Sequence, residues 1–275
     1  MHTALSEAID TLNQRILGKP HQIKLAVTCL LANGHLLIED LPGMGKTTLS
    51  HALAQVFGLG FSRIQFTSDL LPADMLGVNI YNAQQQRFEF HAGPIFSEVV
   101  LADEINRASP KTQSALLEAM EENQVSIDGT THALPVPFFV IATQNPAYQA
   151  GTYPLPESQL DRFLMRISLG YPDTAAEKAM LRQTTPSPAP TAENAQPVIT
   201  PAQLKDWQHS VTQVHASEPI LDYLLRLVQQ SRDNAEFPYP LSPRASKSLL
   251  RGAQAWAFLH NRDFVLPEDI QAVFT

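Results

Sequence analysis

The chain has 275 residues, room for one large domain or two smaller ones around a sizeable core. Its 19 Lys and Arg against 27 Asp and Glu give a formal net charge of −8, which disfavours an unguided nucleic-acid binder because the phosphate backbone selects a basic face. The single cysteine, Cys29, excludes a disulfide framework and a cysteine zinc cluster and points to a reducing compartment.

The N-terminal segment places Leu5, Ala8, Ile9, Leu12 and Ile16 at helical spacing with Glu7 and Asp10 between them, unlike the basic-then-apolar order of a signal peptide. The apolar neighbourhood 25–38 is broken by Asn33, Gly34 and His35, so it falls short of the roughly 20 apolar residues of a membrane span. A cytoplasmic protein with no membrane segment is expected.

Residues 38–48, IEDLPGMGKTT, read as a strand (35–39) breaking into a Gly/Pro loop that delivers Lys46 and Thr47 to the start of a helix. Such a loop points backbone N–H groups at an anion, the helix adds its positive end, and the lysine supplies a mobile cation. Thr47 is placed to offer its hydroxyl to Mg²⁺. Asp40 replaces the first glycine of G-x-x-x-x-G-K-[ST], while Pro42-Gly43-Met44-Gly45-Lys46-Thr47 is intact. Gly-Lys-Thr also arises by chance, and Gly/Pro loops close many strands. Leu49, Leu53, Val56 and Phe57 recur at helical spacing behind the loop and favour a phosphate loop.

Core strands at 61–66, 99–103 and 138–143, with a fifth at 167–169, alternate with helical patterns, which predicts a parallel sheet covered on both faces. Stretches 79–91 and 124–134 interrupt this order as hairpins, the second turning at Asp128-Gly129. Strand 99–103 ends in Asp103-Glu104, a pair suited to metal-assisted phosphate chemistry: one acid for Mg²⁺, one to orient the attacking water. Strand 138–143 runs into Gln144-Asn145, an amide that can fix a water without adding charge, although Asn145-Pro146 is also an ordinary turn starter. Taken alone, Asp161-Arg162 reads as a surface ion pair of small consequence.

Beyond Tyr171-Pro172 only helical patterns follow, at 174–184, 201–215, 219–232 and 243–260, with a Pro-rich loop over 185–201. A last helix opens at Pro267-Glu268-Asp269, and its shortness suggests a domain truncated at its C-terminus. The nine histidines form no H-E-x-x-H pair, and Gly58-Leu59-Gly60 begins a dinucleotide fingerprint in which Arg63 stands for the third glycine.

The motifs LPGMGKT (41–47), SDLLPADMLG (68–77), GPIF (93–96), LADEINRASPKTQSALLEAMEE (101–122), IATQNP (141–146), GTYPLPESQLDRF (151–163) and SPRA (242–245) together resemble the MoxR family of AAA+ ATPases. The resemblance implies an α/β fold: a P-loop NTPase αβα sandwich core with a parallel sheet and two hairpin insertions (1–171), followed by a small all-α lid domain (172–275). It implies ATP and Mg²⁺ as ligands. Pro42, Gly43, Met44, Gly45, Lys46, Thr47 and Thr48 would cradle the phosphates, and Asp103 would join Thr47 at the metal. Glu104 would polarise water, Asn145 would sense the γ-phosphate, and Leu17 and Gly18 would lie against the adenine. Arg162 would be an arginine finger acting on the neighbouring subunit, with Arg107 a second candidate at that interface, and Arg244 would be the second sensor, tying lid position to the γ-phosphate.

The family resemblance further implies a homohexameric ring that remodels a client protein or matures a metalloenzyme complex, with a partner bearing a von Willebrand factor A domain. Two other functions fit parts of the pattern. A slowly hydrolysing nucleotide-gated switch could dispense with Glu104, Asn145 and Arg162, which are present. A DNA motor would carry basic hairpin tips, yet 79–91 holds only Arg87 and 124–134 holds no Lys or Arg.

Overall fold

The computed structural model describes residues 2–145, 151–182, 196–234 and 240–274. Helices α1 (His2–Arg15) and α2 (Pro20–Leu31) precede strand β1 (Leu36–Glu39), helix α3 (Lys46–Val56) and strand β2 (Phe61–Gln65). A short helix α4 (Pro72–Leu76) leads into the hairpin β3 (Gly77–Asn82) and β4 (Arg87–Ala92). Strand β5 (Val99–Asp103), a 3-10 turn (Ile105–Arg107) and helix α5 (Pro110–Glu122) follow, then a second hairpin, β6 (Gln124–Ile127) and β7 (Thr130–Ala133). Strand β8 (Phe139–Gln144), helix α6 (Glu157–Leu160) and strand β9 (Met165–Ile167) complete the sheet. The helices described beyond the sheet are α7 (Thr174–Arg182), α8 (Pro201–Val211), α9 (Glu218–Asp233), α10 (Pro243–Leu259) and α11 (Pro267–Val273).

The five-stranded sheet has the order β2-β5-β8-β1-β9 and is parallel throughout. Side chains alternate between its two faces with the period of a strand. Leu36, Ile38, Leu101, Phe139 and Ile141 join a cluster with α1, α2, α3 and the C-terminal helices. Leu37, Val100, Ala102, Val140 and Ala142 join the opposite cluster, with Leu116, Leu117 and Met120 of α5. Apolar residues on both faces explain why these strands read as unbroken hydrophobic runs. Cys29 is fully buried in the first cluster, where desolvation pushes its thiol well above the usual range.

Three helix starts carry a side-chain cap. Ser109 accepts from the Thr112 N–H with Pro110 behind it, Thr200 forms a capping box with Gln203, and Ser242 accepts from the Ala245 N–H at 2.9 Å. The Asp128-Gly129 turn has positive φ at both residues (49° and 81°), as a two-residue hairpin turn requires. Where the first hairpin leaves the core, a Cβ on Gly77 would lie 2.3 Å from the His91 carbonyl and one on Gly93 would lie 2.2 Å from that of Met75. The two backbones cross there with no room for a side chain.

Two expectations need correction. The fifth strand is Met165–Ile167 rather than 167–169, because Leu36 pairs with Met165 and the Leu164 N–H bonds the His35 carbonyl. Helix α8 stops at Val211, and His215 instead forms a bridge with Phe264. The Pro-rich stretch lies outside the described residues up to 195, but its end is anchored: the amides of Val198 and Ile199 donate to the Val56 carbonyl at 3.0 Å, and Ile199 is buried. Among the described residues no helix is long and apolar enough to cross a membrane.

Candidate nucleotide site

Parallel pairing brings the carboxyl ends of β5, β8 and β1 to one edge of the sheet. Glu39 pairs with Gln144, and Ala102 pairs with Ala142, so the residues just beyond them emerge side by side. Ligands of open parallel sheets bind outside such ends. The loop after β1 closes the site: Gly43 and Gly45 have φ of 84° and 89°, with open space around both, so backbone N–H groups can meet an anion closely. A cleft of about 480 Å³ results, lined by Pro42, Gly43, Gly45, Lys46, Thr47, Thr48, Arg63, Gln65, Asp103, Glu104 and Asn145.

Asp40 does structural work that a glycine could not. Its Oδ1 accepts from the Leu41 N–H (3.0 Å), and its Oδ2 accepts from the Gly170 N–H (2.7 Å) and the Ser168 hydroxyl (3.2 Å). The loop is thereby fastened to the chain leaving β9. Lys46, 7% exposed, donates to the Asp40 carbonyl (2.7 Å) and to Asn145 Oδ1 (3.1 Å). Burial pushes its ammonium below the usual lysine range, and the nearby charges of Asp103, Asp40 and Glu104 partly offset that.

Asn145 links the lysine to the acids, since its Nδ2 donates to Glu104 Oε1 at 2.8 Å. Glu104 sits in the left-handed region (φ 56°, ψ 48°), a conformation that costs a non-glycine residue roughly 1–3 kcal/mol and persists only where its surroundings fix it. Here they do: its N–H donates to Thr143 Oγ1 (2.9 Å), and Gln65 Nε2 reaches its Oε2 (3.2 Å). Thr143 also donates to Asp103 Oδ1 at 2.6 Å. Arg63 on the edge strand β2 holds the other oxygen, with Nη2 at 2.6 Å and Nε at 3.2 Å from Oδ2. A hydroxyl and a carboxylate on one cleft are hard oxygen donors, and Mg²⁺ takes few protein ligands beside phosphate and water, so Thr47 and Asp103 fit that ion.

Not every expected residue is in the cleft. Met44 packs against the hydrophobic cluster instead of lining the phosphate site. Leu17 and Gly18 stand at the junction with α7, where a Cβ on Gly18 would come 2.8 Å from the Ala176 Cβ and Lys19 Nζ donates to the Tyr171 carbonyl at 2.6 Å. Arg107 pairs with Glu104 of its own chain at 3.1 Å. Arg162 does not pair with Asp161: its Nη2 is 3.2 Å from Glu121, while both Asp161 oxygens are 2.9 Å from the Ser242 hydroxyl.

Arg244 is not brought to the phosphate loop of its own chain. It joins Arg162 on Glu121, in a separate pocket with Asn33, Gly34, His35, Lys247 and Arg251 at the amino end of β1. The Ser242–Asp161 contact docks the start of α10 there. Spacing in the sequence did not reveal Arg63, Gln65 and Thr143. Thr143 carries a signal, a polar residue closing an apolar strand, and Arg63 and Gln65 share one face of β2 by alternation.

A phosphate loop after β1, paired acids after β5 and a polar tip on the strand between them define a P-loop nucleotide site of the AAA class. Residues 35–165 match the ATPase family associated with various cellular activities (AAA), and residues 229–275 match the AAA lid domain. The chain is 49% identical over 272 residues to the uncharacterized protein YeaC of Bacillus subtilis, covering 98% of this chain and 84% of that one. It is 38% identical over 279 residues to Chaperone MoxR1 of Mycobacterium tuberculosis, covering 98% and 73%. A crystal structure from Cytophaga hutchinsonii ATCC 33406 superposes with a TM-score of 0.89 at 41% identity, over 99% of this chain and 84% of that one. The chain belongs to the MoxR family of AAA+ ATPases.

Proposed function

We infer that the protein hydrolyses ATP to ADP and phosphate with Mg²⁺, as a homohexameric ring that remodels or matures a client together with a von Willebrand factor A domain partner in the cytoplasm. The observation that carries this reading is a division of the machinery. The cleft gathers Lys46, Asp103, Glu104 and Asn145, and its lining arginine, Arg63, is engaged with Asp103. Arg162 and Arg244 lie together at the amino end of β1, and Arg162 Nε is buried with no hydrogen-bond partner. Two arginines gathered away from their own nucleotide site support a role at the site of a neighbouring subunit.

In this reading Lys46 balances charge on the β- and γ-phosphate oxygens, and Asn145 holds an attacking water that Glu104 polarises. Thr47 and Asp103 would hold Mg²⁺, which would neutralise charge on the phosphates. Leu17 and Gly18 border the base, one residue from the Gly170 anchor of Asp40 through the Lys19–Tyr171 bond. The core is taken as 1–171 and the lid as 172–275. On the client side, the first hairpin exposes Ile80, Tyr81 and Phe88 (48%, 54% and 70%), and its arginine, Arg87, is paired with Glu89. An apolar, charge-neutral tip suits a polypeptide better than DNA.

The test is ATPase rate against protein concentration for the wild type, Arg162→Ala, and an equimolar mixture of Arg162→Ala with Glu104→Gln. A steep rise with concentration, dead single variants and turnover regained in the mixture are expected. Specific activity independent of concentration, with Arg162→Ala unaffected, would sink the ring reading.

A further inference from the structure

Asp103 is already neutralised by a cation of its own chain. Arg63 places both Nη2 and Nε on Asp103 Oδ2, while Oδ1 is fixed by Thr143. The pair is lopsided: the carboxylate is 11% exposed and the arginine side chain 48%. The acid is therefore held in place at the end of β5, and the guanidinium ends a long, half-solvated side chain that can withdraw. A second acceptor stands ready on the same strand face, Gln65 Oε1, 2.9 Å from Arg63 Nη2.

We propose that Arg63 is a resident counter-cation that competes with the divalent metal for Asp103, so that a metal arriving with nucleotide displaces the guanidinium from Oδ2 onto Gln65. This rests on Asp103 being the metal's carboxylate. Like charges at one carboxylate oxygen exclude each other, so whatever holds the Arg63–Asp103 pair together is subtracted from metal affinity. A half-exposed pair of this kind lowers a displacing ligand's affinity by about fivefold. The same guanidinium shields the incoming phosphates from Asp103. Removing it therefore moves two affinities in opposite directions: metal binds more tightly, and nucleotide without metal binds more weakly. General damage to the cleft would weaken both.

The experiment is a Mn²⁺ titration of the ADP-saturated full chain by electron paramagnetic resonance, alongside ADP binding in EDTA. The chains compared are the wild type, Arg63→Met, Arg63→Gln and Asp103→Asn. Both Arg63 variants are expected to bind Mn²⁺ about fivefold more tightly and metal-free ADP several-fold more weakly. Asp103→Asn should lose Mn²⁺ binding. Unchanged or weaker Mn²⁺ binding in both Arg63 variants, with Asp103→Asn deficient, overturns the counter-cation role alone. Wild-type Mn²⁺ affinity in Asp103→Asn overturns the metal assignment and this proposal with it. Arg63 is half exposed on an edge strand, so its replacement removes no core packing, and the glutamine variant retains a polar donor at that position.

Discussion

Arg162 of the core and Arg244 of the first turn of α10 meet on one carboxylate, Glu121. The lid arginine and the core arginine therefore share a position that neither keeps without the last turn of α5. Replacing Glu121 with Gln removes the charge that gathers them. Turnover at saturating protein should fall by about 10- to 100-fold, the scale of a misplaced reacting group, while ADP affinity of the dilute chain stays within about twofold. Steady-state ATPase with parallel fluorescent-ADP titrations checks this, and unchanged turnover removes Glu121 from the machinery.

His35 makes the fold sensitive to acid. Its Nδ1 accepts from the Val140 N–H (3.1 Å), so Nε2 carries the proton that faces the Met120 carbonyl (3.2 Å). Burial lowers its pKa to about 4 against 6.5 for the free side chain, the Met120 contact opposing that shift. Between these values the unfolded chain binds the proton and the native one does not, so stability falls as pH drops through 6.5 and levels off below about 4. From pH 7 to pH 5 this histidine alone should cost about 2 kcal/mol. Urea unfolding at both pH values should show a smaller pH-dependent loss in His35→Gln than in wild type, whatever the variant's baseline.

Restoring the consensus glycine at position 40 should harm the protein. Asp40→Gly leaves the part-buried Leu41 and Gly170 amides without their carboxylate acceptors, a loss of about 1 kcal/mol for each hydrogen bond, since water can reach them. Thermal unfolding should shift down and ADP affinity should weaken, since the loop is no longer fastened beyond β9. A variant that binds ADP as well as wild type would show that the loop needs no such anchor.

The crossing at Gly77 and Gly93 predicts a hairpin that tolerates nothing at its root. Gly77 has φ 105° and no space for a Cβ, so Gly77→Ala should destabilise by roughly 1–3 kcal/mol from backbone strain before any clash is counted. Hydrogen exchange of the 77–92 amides should accelerate in the variant. Exchange at wild-type rates would mean that the crossing yields easily.

The sheet and both hairpins were legible because buried strands are apolar on both faces and Asp-Gly closes a tight turn. Asp103, Glu104 and Asn145 were legible because they end or directly follow such strands, and Lys46 because a Gly/Pro loop carries it from β1 to the start of α3. Arg63 was read as the residue that spoils a glycine fingerprint; its pairing with Asp103 depends on β2 lying beside β5, an order that no local pattern encodes. Arg244 was expected to tie lid position to the γ-phosphate, and its place at the amino end of β1 is set by the docking of Ser242 on Asp161, 81 residues away in sequence. Such long-range choices are made by packing, which one sequence does not display.

The hairpins leave the core at different points yet touch again. Asn79 Nδ2 donates to Asp128 Oδ2 at 2.8 Å, and Phe90 stacks on His132 with ring centroids 3.9 Å apart. The second hairpin grows straight out of α5, a rod of 13 residues, roughly 20 Å long, that begins just past Glu104 and Arg107 and ends at Glu121 and Glu122. A tug on Phe88 at the first tip thus loads the second hairpin, and the second hairpin loads the rod. One tie-bar joins the first hairpin, the segment at Glu104 and the Arg162–Arg244 pair on Glu121, so a displacement of any one of them bears mechanically on the other two.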